Sequence, residues 1–247
     1  MAAMNGSRYR RSAFSAIVSS LLTAQSWAGL PPDSVDWNLE RDEDDIRIYK
    51  ASVSDSGFEA FKATTVINAP LSNVMAVMVD AESCEEWVHG CSHSEALDGG
   101  DFHDRKAYSV NDLPWPAADR DYVLHIRTHT SDESVTGESH DKADSPFIIM
   151  ELSAVPDERE ESGKVRVEHS DTLYQFFQIN DGRTHMTWIQ HSEPNGSLPG
   201  WLVNSLAVDI PFNSLQNLQD VANSSTYSGY ELVFNEQGEL TAVRKEQ

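Results

Sequence analysis

GSLPGWLVNSLAVDIPFNSLQNLQDVAN, residues 196–223, is the stretch whose reading decides the fold. Pro199 stands near its start, where a missing N–H costs a helix nothing. From there Trp201, Leu202, Leu206, Val208, Phe212, Leu215 and Leu218 recur at helical spacings. Asn204, Ser205, Asp209, Asn213, Gln216, Asn217 and Gln219 take most of the remaining positions. Such a helix is amphipathic and must lay one face on something. Pro211 falls inside the pattern and predicts a kink or a break near Asp209 and Ile210. About a hundred residues of strand-like sequence precede it. The expectation is a long curved sheet closing on one broken helix.

Working outward, the first residues read as a leader rather than as fold. Arg8, Arg10 and Arg11 form a basic region, residues 12–24 an apolar core, and Ser26-Trp27-Ala28 a small-x-small cleavage site, the pattern of a secretory signal peptide cut after Ala28. The apolar run is shorter than the ~20 residues a spanning helix needs, and no cysteine follows it closely enough for a lipid anchor. An uncleaved N-terminal anchor is the alternative. Cleaving 28 of the 247 residues leaves 219, enough for one large domain. It removes three arginines and no acids, taking the net charge from −22 to about −25. Such a chain is repelled by nucleic acid and anionic surfaces. Acidity names no ligand; solubility is the plain explanation. The expected product is exported, periplasmic or secreted. Cys84 and Cys91 can bridge across a turn in that compartment, or Cys91 can be a small apolar strand residue.

Pro31-Pro32 and then Asp33-Ser34 suggest a capped short helix running to about Arg41. Residues 46–49 and 58–67 read as strands joined by a turn at 54–57. Asn68-Ala-Pro opens a helix over 71–79 with Val74, Met75, Val77 and Met78 on its buried face, and a shorter helix over 82–88 carries Trp87. Strands follow at 92–97, 105–110, 122–130, 134–139, 147–155, 165–179 and 183–192. The last two are joined by Asn180-Asp181-Gly182, a hairpin signal because Asn and Gly tolerate positive φ. The acidic run 157–163 reads as a solvated loop. The order is two strands, two helices, five to seven strands and a helix, hence an α+β domain over 29–223. A tail, 224–247, follows, with strands at 230–234 and 240–243 about a turn at 235–238. An isolated hairpin is marginal in water, so docking on the domain is expected.

There is no nucleophile elbow, phosphate-cradling glycine loop, dinucleotide fingerprint, HExxH or paired CxxC. The sequence therefore implies no cofactor, and no metal. His89, Cys91 and His93 alternate at a spacing compatible with zinc, but read better as a hydrophilic strand face. His125 and His129 share a face with Arg127, opposite Tyr122, Leu124 and Ile126. If those three point inward they meet Tyr108, Val110, Ile149, Tyr174, Met186 and Trp188 from other strands. Periodicity cannot separate a solid core from the wall of an apolar cavity, and interiors are normally filled.

A resemblance bears on that choice. Leu113-Pro-Trp-Pro-Ala-Ala-Asp-Arg-Asp-Tyr-Val123 resembles the LPWP…RDYV segment of the START lipid-binding domains, named for steroidogenic acute regulatory protein. So do Asn68-Ala-Pro, Trp87 with Cys91, Val165-Arg-Val-Glu-His169, Thr187-Trp188, and the segments 194–204 and 209–218. They run in family order over roughly 35–222. The resemblance implies a helix-grip fold: a curved antiparallel sheet wrapped around a long C-terminal helix over a hydrophobic tunnel. It implies one lipid, fatty acid or sterol-like partner bound without chemistry, with transient membrane contact and a monomeric state. By the same resemblance Tyr108, Val110, Tyr122, Leu124, Ile126, Val167, His169, Thr172, Tyr174, Met186 and Trp188 form the wall. Val208, Phe212 and Leu215 form the roof, which Pro211 lets flex. Ile126 falls where steroidogenic relatives can carry a buried arginine, which weakens the case for cholesterol. Arg120 and Asp121 belong to the family signature as an ion-pairing corner, and Trp115 would brace it. Two other readings remain open: an enzyme in the same cavity with His169 as its acid–base candidate, and a filled, ligand-free interaction module.

Overall fold

The computed structural model describes residues 29–31, 35–132, 134–136, 147–159, 163–198 and 200–246. The expected signal peptide over 1–28 lies outside them. In chain order come β1 (Asn38–Glu43), β2 (Ile46–Ser52), β3 (Glu59–Ile67), α1 (Leu71–Val79), a 3₁₀ turn (Ala81–Ser83), α2 (Cys84–Trp87), β4 (Cys91–Gly100), β5 (Asp104–Asn111), β6 (Arg120–Ser131) and β7 (Phe147–Ala154). Then follow β8 (Val165–Arg166), β9 (His169–Asn180), β10 (Arg183–Glu193), α3 (Gly200–Val221), β11 (Tyr230–Phe234) and β12 (Leu240–Lys245). The main sheet runs β1-β2-β3-β10-β9-β7-β6-β5-β4, with β8 alongside β6. Its pairings are antiparallel except for β6 with β8.

Burial on both faces explains the near-continuous apolar strands. On β7, Ile148 and Met150 join the main core, while Phe147 and Ile149 face the other way into a smaller cluster with Leu173, Phe177 and Ile189. Leu30, Trp37 and Val135 cover that outer cluster. The main core is closed by α1, whose Leu71, Val74, Met75 and Val77 are fully buried, and by the C-terminal half of α3 through Phe212, Leu215 and Leu218. Pro70 caps α1 with φ −57°, already suited to a helix start.

Several sequence expectations need correction. The short helix ending near Arg41 is instead strand β1, folded back on β2 through Asp44 and Asp45 at φ 52° and 59°. That two-residue turn suits hairpin twist, and pairing overrides the capping signal. The expected strand over 165–179 is broken. Val165 and Val167 donate to the Asp119 and Asp121 carbonyls beside β6, and the chain then crosses to pair as β9 with β7. Ser134–Thr136 form no strand, and 137–139 lie outside the described residues. Pro211 does not break α3, which runs through it. The hairpin at 180–183 forms, but without positive φ at Asn180, Asp181 or Gly182. Gly182 N donates to the Asn180 side chain at 3.1 Å, and a bulge at Arg183 takes up the twist.

The tail does form a docked hairpin, β11–β12. Tyr227 and Leu240 are buried in the main core, with Tyr230, Leu232 and Val243 packed against it. The Tyr227 hydroxyl donates to Asp80 Oδ2 at 2.9 Å. Asp80 also caps the turn after α1 by accepting from Glu82 N. Truncation after Asn223 should therefore lower Tm by several degrees. Tyr227→Phe alone should cost about 1 kcal/mol, the usual scale for one hydrogen bond. Denaturant unfolding of both variants checks this, and unchanged stability after truncation would contradict the docking.

Candidate functional site: an amphipathic cavity under the C-terminal helix

The sheet does not fill the space beneath the first half of α3. A cavity of about 250 Å³ lies there. Strand register explains its wall. Ala107, Ser109 and Asn111 of β5 stand opposite Leu124, Tyr122 and Arg120 of β6. Ser170, Thr172 and Tyr174 of β9 stand opposite Ser192, Gln190 and Trp188 of β10. Met150 and Leu152 of β7 bridge the two sets, facing Tyr174 and Thr172. Polarity is thus sorted along the strands, with apolar groups at one end and hydroxyls, amides and Arg120 at the other.

The apolar end is framed by aromatic rings. Trp188 lies 5.0 Å from Phe61, 5.8 Å from Trp87 and 5.4 Å from Tyr174, in edge and tilted geometries that aromatic pairs favour. Trp87 and Val88 are carried by α2 and held by the Cys84–Cys91 disulfide, Cα atoms 6.0 Å apart. Gly90 makes that turn at φ +86°, and its carbonyl accepts from Asp112 N at 2.8 Å. The polar end is a closed network. Trp188 Nε1 donates to Gln190 Oε1 at 3.1 Å, Gln190 Nε2 to Ser192 Oγ at 3.0 Å, and the Ser170 and Ser192 hydroxyls share a bond of 2.6 Å.

The signature corner is structural. Arg120, 3% exposed, donates to the carbonyls of Pro194 at 2.8 Å, Asn195 at 2.6 Å and Ala118. Asp121, 1% exposed, pairs instead with Arg166 at 2.7 Å. Together they tie the start of β6 to the link leading into α3. Trp115 does not brace this corner; it is 91% exposed.

The roof is made by Val203, Leu206, Ala207 and Ile210, at i, i+3, i+4 and i+7. Phe212 and Leu215 are core residues outside the cavity, and Val208 packs against that core. At 3.6 residues per turn the roof stripe and the core stripe of Leu215, Leu218 and Ala222 lie about a third of a turn apart. Among the described residues, the side-chain bonds from α3 to other elements all come from beyond Pro211. Ser214 Oγ accepts from His89 N, Gln219 Oε1 accepts from Asn68 N, Asn217 donates to the Trp87 carbonyl and Gln216 to Asp44.

Of the expected wall, Tyr122, Leu124, Ile126, Thr172, Tyr174 and Trp188 line the cavity. Tyr108 and Val110 do not. They pack with Val123 on the outer face, under the Arg159 guanidinium, because β5 turns its small side chains inward. Val167 is buried at the crossover after β8, His169 is exposed, and Met186 is core under α1. Bulk does not mark the inward residues of β5; small Ala107 and Ser109 make the room. Their strand parity needs the pairing register, which no local signal supplies. The roof stripe was readable from helical spacing. Among the described residues no His, Cys, Asp and Glu cluster can hold a metal. Cys91 is spent on its disulfide, and His93 stands between Glu85 and Glu95.

Burial pushes the Tyr122 phenol up to about 12, with Asp121 adding to the shift and Arg120 opposing it, and burial raises Tyr174 as well. The folded pKa lies above the unfolded value near 10. The stability this contributes is complete below pH ~10 and is lost as pH rises toward 12. Absorbance titration at 295 nm should show less ionised tyrosine in the native chain than in the unfolded chain at pH 11. Coincident curves would contradict a dry cavity wall.

The START domain family model matches residues 24–223. An uncharacterized protein of Pseudomonas aeruginosa, PA1579, is 34% identical over 190 residues, covering 76% of this chain and 87% of its own. Among solved structures, a fragment of the STAR-related lipid transfer protein of Xanthomonas axonopodis superposes with a TM-score of 0.65 at 28% identity, over 76% of this chain and 99% of that one. Human STARD10 superposes at 0.63 with 16% identity, over 82% and 76%, a likeness of fold alone. With its curved antiparallel sheet closed by α3, the chain belongs to the START domain family and has its helix-grip fold.

Proposed function

We propose that the chain binds one hydrophobic molecule in this cavity and carries or sequesters it without chemical change. The observation that carries the reading is the hollow itself, about 250 Å³ with an apolar end and a polar end. A START-family relative from Xanthomonas bears the name of a lipid transfer protein, which supports it. The volume is slightly under the ~300–1,000 Å³ of common ligand pockets. It suits a single chain or compact ring system, with more room if the roof half of α3 lifts. His169, the one acid–base candidate, is exposed and is not part of the cavity lining, which favours binding over catalysis.

The proposal includes export, with a mature chain beginning at Gly29. The basic leader and the Cys84–Cys91 bridge support an oxidising compartment.

Native mass spectrometry of protein recovered from its own cell envelope tests both parts. The expected mass is that of a chain from Gly29 carrying one hydrophobic molecule. Ala107→Phe, which places a ring opposite Leu124, should cut uptake of a fluorescent fatty acid or sterol roughly tenfold, about 1.4 kcal/mol, while the chain stays folded. A bare chain that takes up nothing from a broad lipid panel would contradict the reading.

A further inference from the structure

β5 presents Arg105, Ala107 and Ser109 to one face, and the latter two line the cavity. Arg105 pairs across the ladder with Ile126, another lining residue. Its Nη1 donates to Thr128 Oγ1 at 3.0 Å and to the Phe102 carbonyl at 2.6 Å. Thr128 stands on the same face of β6 as Ile126, opposite the lining residue Met150. The guanidinium therefore sits just beyond the apolar end of the cavity and is not itself part of its lining. Its Nη2 is wholly buried and finds no acceptor among the described residues. No salt bridge to a described carboxylate forms, and the charge of Asp101 acts on it only from beyond that reach. This partly buried guanidinium stays charged, and leaving its buried donor unmade costs more than a methionine or leucine there would. Such an unsatisfied group requires an explanation.

At the opposite end Ser109, Asn111, Tyr122 and Thr172 offer neutral hydroxyls and an amide, and the charged group there is Arg120. There the Ser170, Gln190 and Ser192 side chains bond one another, and Arg120 is committed to three carbonyls. The charged donor without an acceptor among the described residues stands at the apolar end.

We propose that Arg105 is an anion anchor, and that the molecule bound is a single-chain amphiphile whose carboxylate enters first and meets Nη2 past Ile126 and Met150. The inference rests on the cavity-binding reading above and adds the ligand's chemical class and direction. A carboxylate fits better than a phosphate monoester, because a single open donor group cannot serve a dianion with three oxygens. The rest of the chain then fills the apolar stretch and ends at the polar network under α3.

Calorimetric titration of the delipidated full chain with dodecanoate, methyl dodecanoate and dodecanol tests this. Wild type should bind dodecanoate roughly tenfold more tightly than the two neutral analogues, the scale of one charge-assisted hydrogen bond. Arg105→Met should bring all three within about twofold of one another without weakening the ester, and should melt no lower than wild type when empty. Arg105→Lys should keep part of the preference. Equal affinity of wild type for acid and ester, or an undiminished acid preference in Arg105→Met, would overturn the assignment. Were Arg105→Met not to fold, the wild-type comparison and Arg105→Lys would still decide it. Binding of none of the three by wild type would instead remove the cavity-binding reading, and this inference with it.

Discussion

An interior stays hollow only if its roof is held up by something other than the side chains beneath it. Here that support comes from both ends of α3. Beyond Pro211 the helix is packed into the core through Phe212, Leu215 and Leu218 and bonded to α2 and to the start of α1. Before it, the Arg120 guanidinium gathers the carbonyls of the chain leading into the helix. Between these anchors Val203, Leu206, Ala207 and Ile210 span the gap. A hollow left empty beneath this roof forgoes packing contacts that a filled core would make. A hydrophobic guest would recover many of them, which ties stability to occupancy.

The wall shows how one sheet serves two environments. β5 sends Tyr108 and Val110 outward to a small cluster and keeps Ala107 and Ser109 for the cavity. β7 divides its apolar run between the core and the outer cluster in the same way. The disulfide has a local role in this arrangement, since it fixes the turn that delivers Trp87 and Val88 to the cavity rim. The docked tail braces the same region from behind through Tyr227 and Asp80.

What was legible in the sequence was whatever local chemistry determines. The span of α1 follows from Asn68-Ala-Pro and an apolar face, and the two hairpins at 180–183 and 230–245 follow from turn residues between alternating strands. Tyr122, Leu124 and Ile126 share the cavity face, and one strand's alternation is enough to group them. Illegible was anything set by pairing between strands. Tyr108 and His169 fell on the wrong side because their parity is fixed by β6 and β10 respectively, not by their own neighbours. β1 read as a helix because capping residues were visible and its partner strand was not. Pro211 signalled a break that packing of the helix overrides. Arg105 carries no signal in the sequence, since a lone arginine on a strand has meaning only through its surroundings.

The central claim is that a guest sits between the β5–β6 ladder and the first half of α3. The most direct measurement is a crystal structure of the chain with a bromine-labelled fatty acid, read by anomalous diffraction. The account predicts a single bromine peak within the cavity bounded by Ala107, Leu124, Tyr174 and Ile210. A cavity collapsed by interlocked side chains, with bromine only on the surface or absent, would contradict it.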